Sequence, residues 1–245
     1  MNDGLLLFAR YAFPPNQLGY CGPGDHEALS GYLREDHADQ GLRELAEKFE
    51  GAYPYLRLIA QASGLADPFD RRVVEAYWIG NALLERVEAS PFYENLRERF
   101  QSRMGAREFS AMGGSLEKGA RPHHNYHVFE IYRRAGLLRD ARATIALERM
   151  DRCRISWGRV SAVLGAEAVV ERSPLVMENG KLGLGRPTAM RVLRRVDGRG
   201  SPDQLRPGDI ISIHWNWACD RLGAGNVREL MRCTRRAIEH TNLTL

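Results

Sequence analysis

Three of the chain's seven histidines, His123, His124 and His127, fall in one short stretch, Arg121-Pro122-His123-His124-Asn125-Tyr126-His127-Val128-Phe129. Imidazole is the commonest metal ligand and the side chain that titrates nearest neutrality. If Pro122 is the first residue of a helix, His123 and His127 stand four apart, and His124 and His127 three apart. Both spacings bring side chains to one helical face. The expectation is that His123 and His127 face a common polar pocket as core ligands of zinc, iron or nickel, with His124 beside them. Such a site needs further donors from elsewhere. His214 and Cys21 are the first candidates, and His26, Asp25, Glu75 and Glu130 the others. No His-Glu-x-x-His is present, so the common zinc-protease arrangement is excluded.

A second constellation is Gln17-Leu18-Gly19-Tyr20-Cys21-Gly22-Pro23. It resembles the start of papain-like and bacteriocin-processing cysteine peptidases, where a glutamine supplies an oxyanion donor and the cysteine heads a helix that lowers its pKa. Pro23-Gly24-Asp25 departs from that pattern, being a poor opening for an apolar helix. In this reading Cys21 is the nucleophile and should label faster than Cys233.

His214 supplies the base in that alternative. It follows a Pro207-Gly208-Asp209 turn, similar to one found in small cysteine amidases, and a base brought from a distant strand is what a Cys/His hydrolase needs. On a strand of period two, Ile210, Ser212 and His214 share one face and Ile211, Ile213 and Trp215 the other. The second face is the more apolar, so His214 is expected to point toward the helical part and its histidines. Cys153-Arg154-Ile155-Ser156-Trp157-Gly158 matches no catalytic motif. Gly183-Leu184-Gly185 is too short for a phosphate loop and no helix follows it.

Taken together, the segments around Cys21, His123–His127, Cys153 and His214 look like one uncharacterised bacterial family of unknown function. The resemblance implies genes lying near nickel–iron hydrogenase and hydrogenase-maturation genes in actinobacteria. It also implies an accessory role in metallocentre assembly with a protein partner, and it carries over no catalytic residue. Three classes of function therefore stand side by side. They are a metal-binding enzyme or maturation factor, a metal-free cysteine hydrolase or amidotransferase using Cys21 and His214, and a non-catalytic module whose tryptophans dock a protein.

The elements that must position these residues change character along the chain. Residues 1–25 contain three prolines and four glycines and read as an irregular lead-in. From there to about residue 150 the pattern is helical. Asp67-Pro68 and Ser90-Pro91 are start signals ahead of apolar residues at helical spacing, and a further helix is expected from about Asp140 to Met150. After residue 151, short β-like runs are punctuated by Asn179-Gly180 and Asp197-Gly198, both hairpin signals. Gly223 to His240 reads as a closing helix. The expected fold is α+β: a helical part (1–150), then a small, mostly antiparallel sheet or barrel with a C-terminal helix (151–245).

Composition narrows the setting. The 245 residues are 44% hydrophobic and 27% charged, with a net charge of +4, as in ordinary globular proteins. Only three of the 35 basic residues are lysines, and the arginines alternate with acids, which argues for solvated faces and against a nucleic-acid groove. The apolar run near the N-terminus is short and preceded by an acid, unlike a signal peptide. No run approaches the ~18 apolar residues of a membrane span. A soluble cytoplasmic protein is expected. The four cysteines form no Cys-x-x-Cys pair, which excludes zinc ribbons and thioredoxin-type sites.

Overall fold

The computed structural model describes residues 3–132, 143–195, 204–243 and 245. Helices α1 (Asp3–Gln17), α2 (His26–Glu35), α3 (Gln40–Glu47), α4 (Tyr53–Ala62), α5 (Arg71–Trp78), α6 (Ala89–Phe100) and α7 (Ala106–Glu117) build the N-terminal part. A short turn, α8 (His124–Tyr126), runs on as a π-helical turn over His127–Tyr132, and α9 (Ala143–Cys153) leads into the strands. Strands β1 (Ser156–Leu164), β2 (Glu167–Arg172), β5 (Thr188–Leu193), β6 (Ile210–His214) and β7 (Trp217–Arg221) close a barrel in the order β1-β2-β5-β7-β6. All its pairings are antiparallel except β5 with β7, which meet in parallel at Leu193 and Trp217. Strands β3 (Leu175–Glu178) and β4 (Lys181–Leu184) form a separate hairpin, and α10 (Ala224–Asn242) closes the chain. The fold is thus α+β, with the helical part first.

The hairpin turn falls at Asn179-Gly180, both at positive φ (52° and 75°), the conformation that favours these two residues in two-residue hairpins. Asp197-Gly198 lies outside the described residues. So does the expected start at Asp140, and α9 extends three residues beyond the Met150 end read from sequence.

The lead-in requires correction. It is not irregular throughout, because Asp3–Gln17 is a helix with Pro14 and Pro15 inside it. Leu5, Leu7, Phe8, Tyr11, Ala12 and Phe13 are each at most 2% exposed. Between its ends only Leu6 and Arg10 are partly exposed, and with one polar residue on that strip the 3.6-residue polar alternation that usually marks a helix is weak. Its prolines sit near the C-terminal end, where the loss of two N–H groups breaks few ladder bonds. The helix packs against α5 and lies across β6 and β7. The largest apolar cluster joins α1, α4 and α5 to Ile155, Cys219 and Leu230 from beyond residue 150. A second cluster fills the barrel with Val160, Val170, Val192, Ile211, Ile213 and Ala218.

Candidate functional site

The site grows from the histidine turn. Pro122 is not its first helical residue. His123 occupies the cap position in extended conformation, and its Nδ1 accepts from the Asn125 backbone N–H at 3.0 Å. This cap turns His123 away from its neighbours. It lines a small cavity with Tyr126, Cys233, Arg236 and His240, whereas His124 and His127 line another. The expectation that His123 and His127 share a pocket therefore fails, because a capping side chain folds back on its own backbone. Asn125 anchors the turn. Its Oδ1 accepts from Ile155 N–H at 2.7 Å, and its Nδ2 donates to the Ile155 carbonyl and to Thr234 Oγ1.

That anchor draws the turn to the C-terminal end of α9, where Cys153 is buried and held in no disulfide. His124 Nε2 lies 3.0 Å from the Cys153 carbonyl, and its Nδ1 lies 3.2 Å from Tyr77 Oη. A carbonyl can only accept, so Nε2 carries the proton and Nδ1 accepts from the tyrosine. His214 arrives from β6. Ser212 on the same face bonds Tyr11 Oη at 2.7 Å, and the His214 ring packs against Trp78 and His124. Ile211 and Ile213 fill the barrel. Trp215 leaves the strand at φ 57° and packs outside the barrel, stacked on Tyr20 with centroids 4.6 Å apart.

His214 Nδ1 lies 2.6 Å from the Tyr11 carbonyl. In a regular helix that carbonyl would accept from the N–H four residues on, but residue 15 is proline and has none. The diproline thus frees the carbonyl that orients His214. With the proton on Nδ1, the Nε2 lone pair faces inward, and this atom is buried without a hydrogen-bond partner.

One ligand atom each from His124, Cys153 and His214 lies within 4.8 Å of the other two. Tetrahedral zinc at ordinary bond lengths holds N and S donors roughly 3.3–3.6 Å apart, so closing on an ion asks for a contraction of about 1 Å. Around them is an inner cavity of about 10 Å³, also lined by Cys21, Tyr77 and His127, roughly the room for a single water or ion. Burial pushes His214 down to about 4 and His127 down to about 3. It pushes His124 well below its usual value, with the His214 and His127 charges adding to the effect. All three rings are therefore neutral near pH 7, as metal ligation requires.

Cys21 sits in a loop pinned by the buried Asn16, whose Nδ2 donates to the carbonyls of Cys21 (2.9 Å) and Pro23 (2.7 Å). Gly22 is needed there: its φ is +83°, and a Cβ would fall 2.3 Å from the Phe49 ring. Burial pushes the Cys21 thiol up to about 11, against a smaller opposing bond from the Gly22 backbone, so it is protonated at neutral pH. This is the reverse of the lowered pKa expected from a helix N-terminus, because the loop buries the sulfur without placing it on one. His127 Nδ1 lies 2.9 Å from Tyr55 Oη. The remaining candidates lie elsewhere: Asp25 caps α2, His26 bonds Asn16, Glu75 accepts from Asn226 and Glu130 from Thr241.

The inner cavity adjoins an outer one of about 980 Å³, and Pro15, Cys21, Gly51, His127 and Cys153 line both. Cys153 is the member that sequence reasoning missed. Nothing in its local motif marks it, since only the crossing of α9 with the histidine turn brings it into the group. A family model described as a family of unknown function (DUF6390) matches residues 1–245. No curated protein matches, and no solved structure matches. No helix among the described residues is long and apolar enough to cross a membrane.

Proposed function

Because the chain belongs to that family of unknown function, its chemistry has to be read from the buried cluster, and we propose that it is a metal-binding protein. His124, Cys153 and His214 would be the ligands. The observation that carries this is the meeting of three ligand atoms within 4.8 Å, drawn from three separate elements and supported by neutral imidazoles. Two nitrogens and a thiolate suit zinc, iron or nickel. Three protein donors leave one tetrahedral position for water or substrate, the pattern of catalytic rather than structural zinc. The finer reading, an accessory factor in metallocentre assembly with a protein partner, is supported by the family resemblance of the motifs.

The test is metal analysis of untagged protein, as purified and after loading with zinc, iron or nickel. One equivalent is expected, lost in His124→Ala, Cys153→Ser and His214→Ala and kept in His123→Ala. Protein that takes up none of the three metals, or three variants that bind as the wild type does, would refute it.

The cysteine-hydrolase reading keeps one favourable observation, that Cys21 and His214 line the same inner cavity. The protonated thiol counts against it. In that reading Cys21→Ser abolishes activity with metal content unchanged.

A further inference from the structure

The outer cavity is far larger than an ion needs and lies within the range of small-molecule sites, roughly 300–1,000 Å³. Its charged lining divides into a rim and an interior. The exposed rim carries Lys48, Arg103 and Arg149 against Glu47, Glu50 and Glu98, equal in number, opposite in sign and open to water. Among the described residues of the charged lining, Arg99 alone is partly buried. Its guanidinium donates to Asn95 Oδ1 (3.1 Å) and to the carbonyls of Glu50 (2.8 Å) and Gly51 (3.3 Å). It lies 4.3 Å from the Tyr55 ring centroid and 4.6 Å from that of Phe100. These neighbours fix its position but bring no negative charge, and among the described residues no carboxylate forms an ion pair with it. A fixed, partly desolvated guanidinium is an anion receptor, because charge-assisted bonds strengthen away from water.

We infer that the outer cavity binds a small organic carboxylate, its acid group on Arg99 and its body between the aromatic walls, directed toward Cys153. Tyr53, Phe100 and Trp215 supply those walls. Cys153 and His127, shared with the inner cavity, mark the end at which a bound molecule would meet the metal cluster. Only this placement rests on the metal-binding reading. Recognition by Arg99 stands without a metal.

Calorimetric titration with benzoate and its neutral isostere benzamide tests the inference on metal-free and zinc-treated protein. Benzoate is expected to saturate and to bind about tenfold or more tighter than benzamide. Arg99→Gln should lose that preference and Arg99→Lys retain part of it, since the charge survives without the fork. Arg103→Gln and Arg149→Gln should change benzoate affinity by less than about threefold, as screened rim charges do. These two rim variants and the wild-type ligand comparison decide the matter even if Arg99→Gln folds poorly. Equal binding of the two probes, no saturable benzoate binding, or a loss confined to the rim variants would overturn the inference. So would inorganic phosphate displacing benzoate at equal affinity, since the receptor would then be for simple anions. Benzoate binding that persists in His214→Ala separates failure of the metal site from failure of this one.

Discussion

The Tyr11 carbonyl accepts a 2.6 Å hydrogen bond from Nδ1 of His214, and it can do so because Pro15 offers that carbonyl no N–H. Metal-binding histidines almost always donate their second nitrogen to a carbonyl or carboxylate, which fixes tautomer and ring orientation. Pro15→Ala would restore a helical N–H that competes for the carbonyl. Zinc affinity is expected to fall about tenfold or more. Pro14→Ala, which affects the Arg10 carbonyl, should leave it unchanged. Equal affinities in both variants, measured by competition with a chelating dye, would detach the diproline from the site.

His124 should change tautomer on loading. In the metal-free protein its Nε2–H is committed to the Cys153 carbonyl. Ligation through Nε2 moves the proton to Nδ1, where Tyr77 Oη turns from donor to acceptor. Nitrogen-15 spectra of histidine-labelled protein are expected to show His124 protonated on Nε2 without zinc and on Nδ1 with it. An Nε2–H signal that survives stoichiometric zinc contradicts ligation through that atom.

Acid should destabilise the metal-free fold earlier than its carboxylates alone would. Burial pulls His123 and His127 down to about 3 and His214 to about 4. As pH falls below the unfolded value near 6.5, the unfolded chain takes up protons that the folded chain refuses. Stability is therefore complete above that value and declines toward the folded pKa, by about 1.4 kcal/mol per pH unit for each such histidine. In urea titrations between pH 6 and 5, His127→Gln should flatten the slope by about that amount. An unchanged slope would mean that His127 protonates freely in the fold.

Asp151 holds the base of the site. Its carboxylate accepts from Arg154 (3.0 Å), Arg172 (2.9 Å, with a second bond at 2.6 Å) and the Leu175 backbone N–H (2.8 Å), beside Cys153 at the end of α9. Removing it leaves two buried guanidinium groups without a counter-charge. Asp151→Ala is expected to cost about 3–5 kcal/mol in chemical unfolding, whereas Glu148→Ala, at an exposed pair with Arg152, should cost about 1 kcal/mol or less.

Cys21 should react slowly with iodoacetamide at pH 7.5 and accelerate about tenfold per pH unit toward its raised pKa near 11. Rapid labelling at neutral pH would reveal a stabilised thiolate and favour the hydrolase reading.

Part of this protein is legible in the local chemistry of its sequence. Asn179-Gly180 fixes a hairpin because both residues tolerate positive φ. The alternation of Ile210 to Ile213 separates the barrel face from the face that carries Ser212 and His214. Crowded imidazoles mark the turn at His124 and His127, and the shift of texture near residue 151 marks where strands begin. Tertiary structure alone decided the rest. Helix α1 is buried except at its ends and at Leu6 and Arg10, so little polar period betrays it, and its Pro15 serves a bond to a strand far along the chain. His123 leaves the cluster because its ring caps its own turn, which equal spacing on an ideal helix cannot express. Cys153 enters the cluster through the Asn125 bonds to Ile155, and His214 through the closure of β6 against β1. A ligand set drawn from three elements leaves no common spacing in the sequence, because the distances that define it run through space between chain segments.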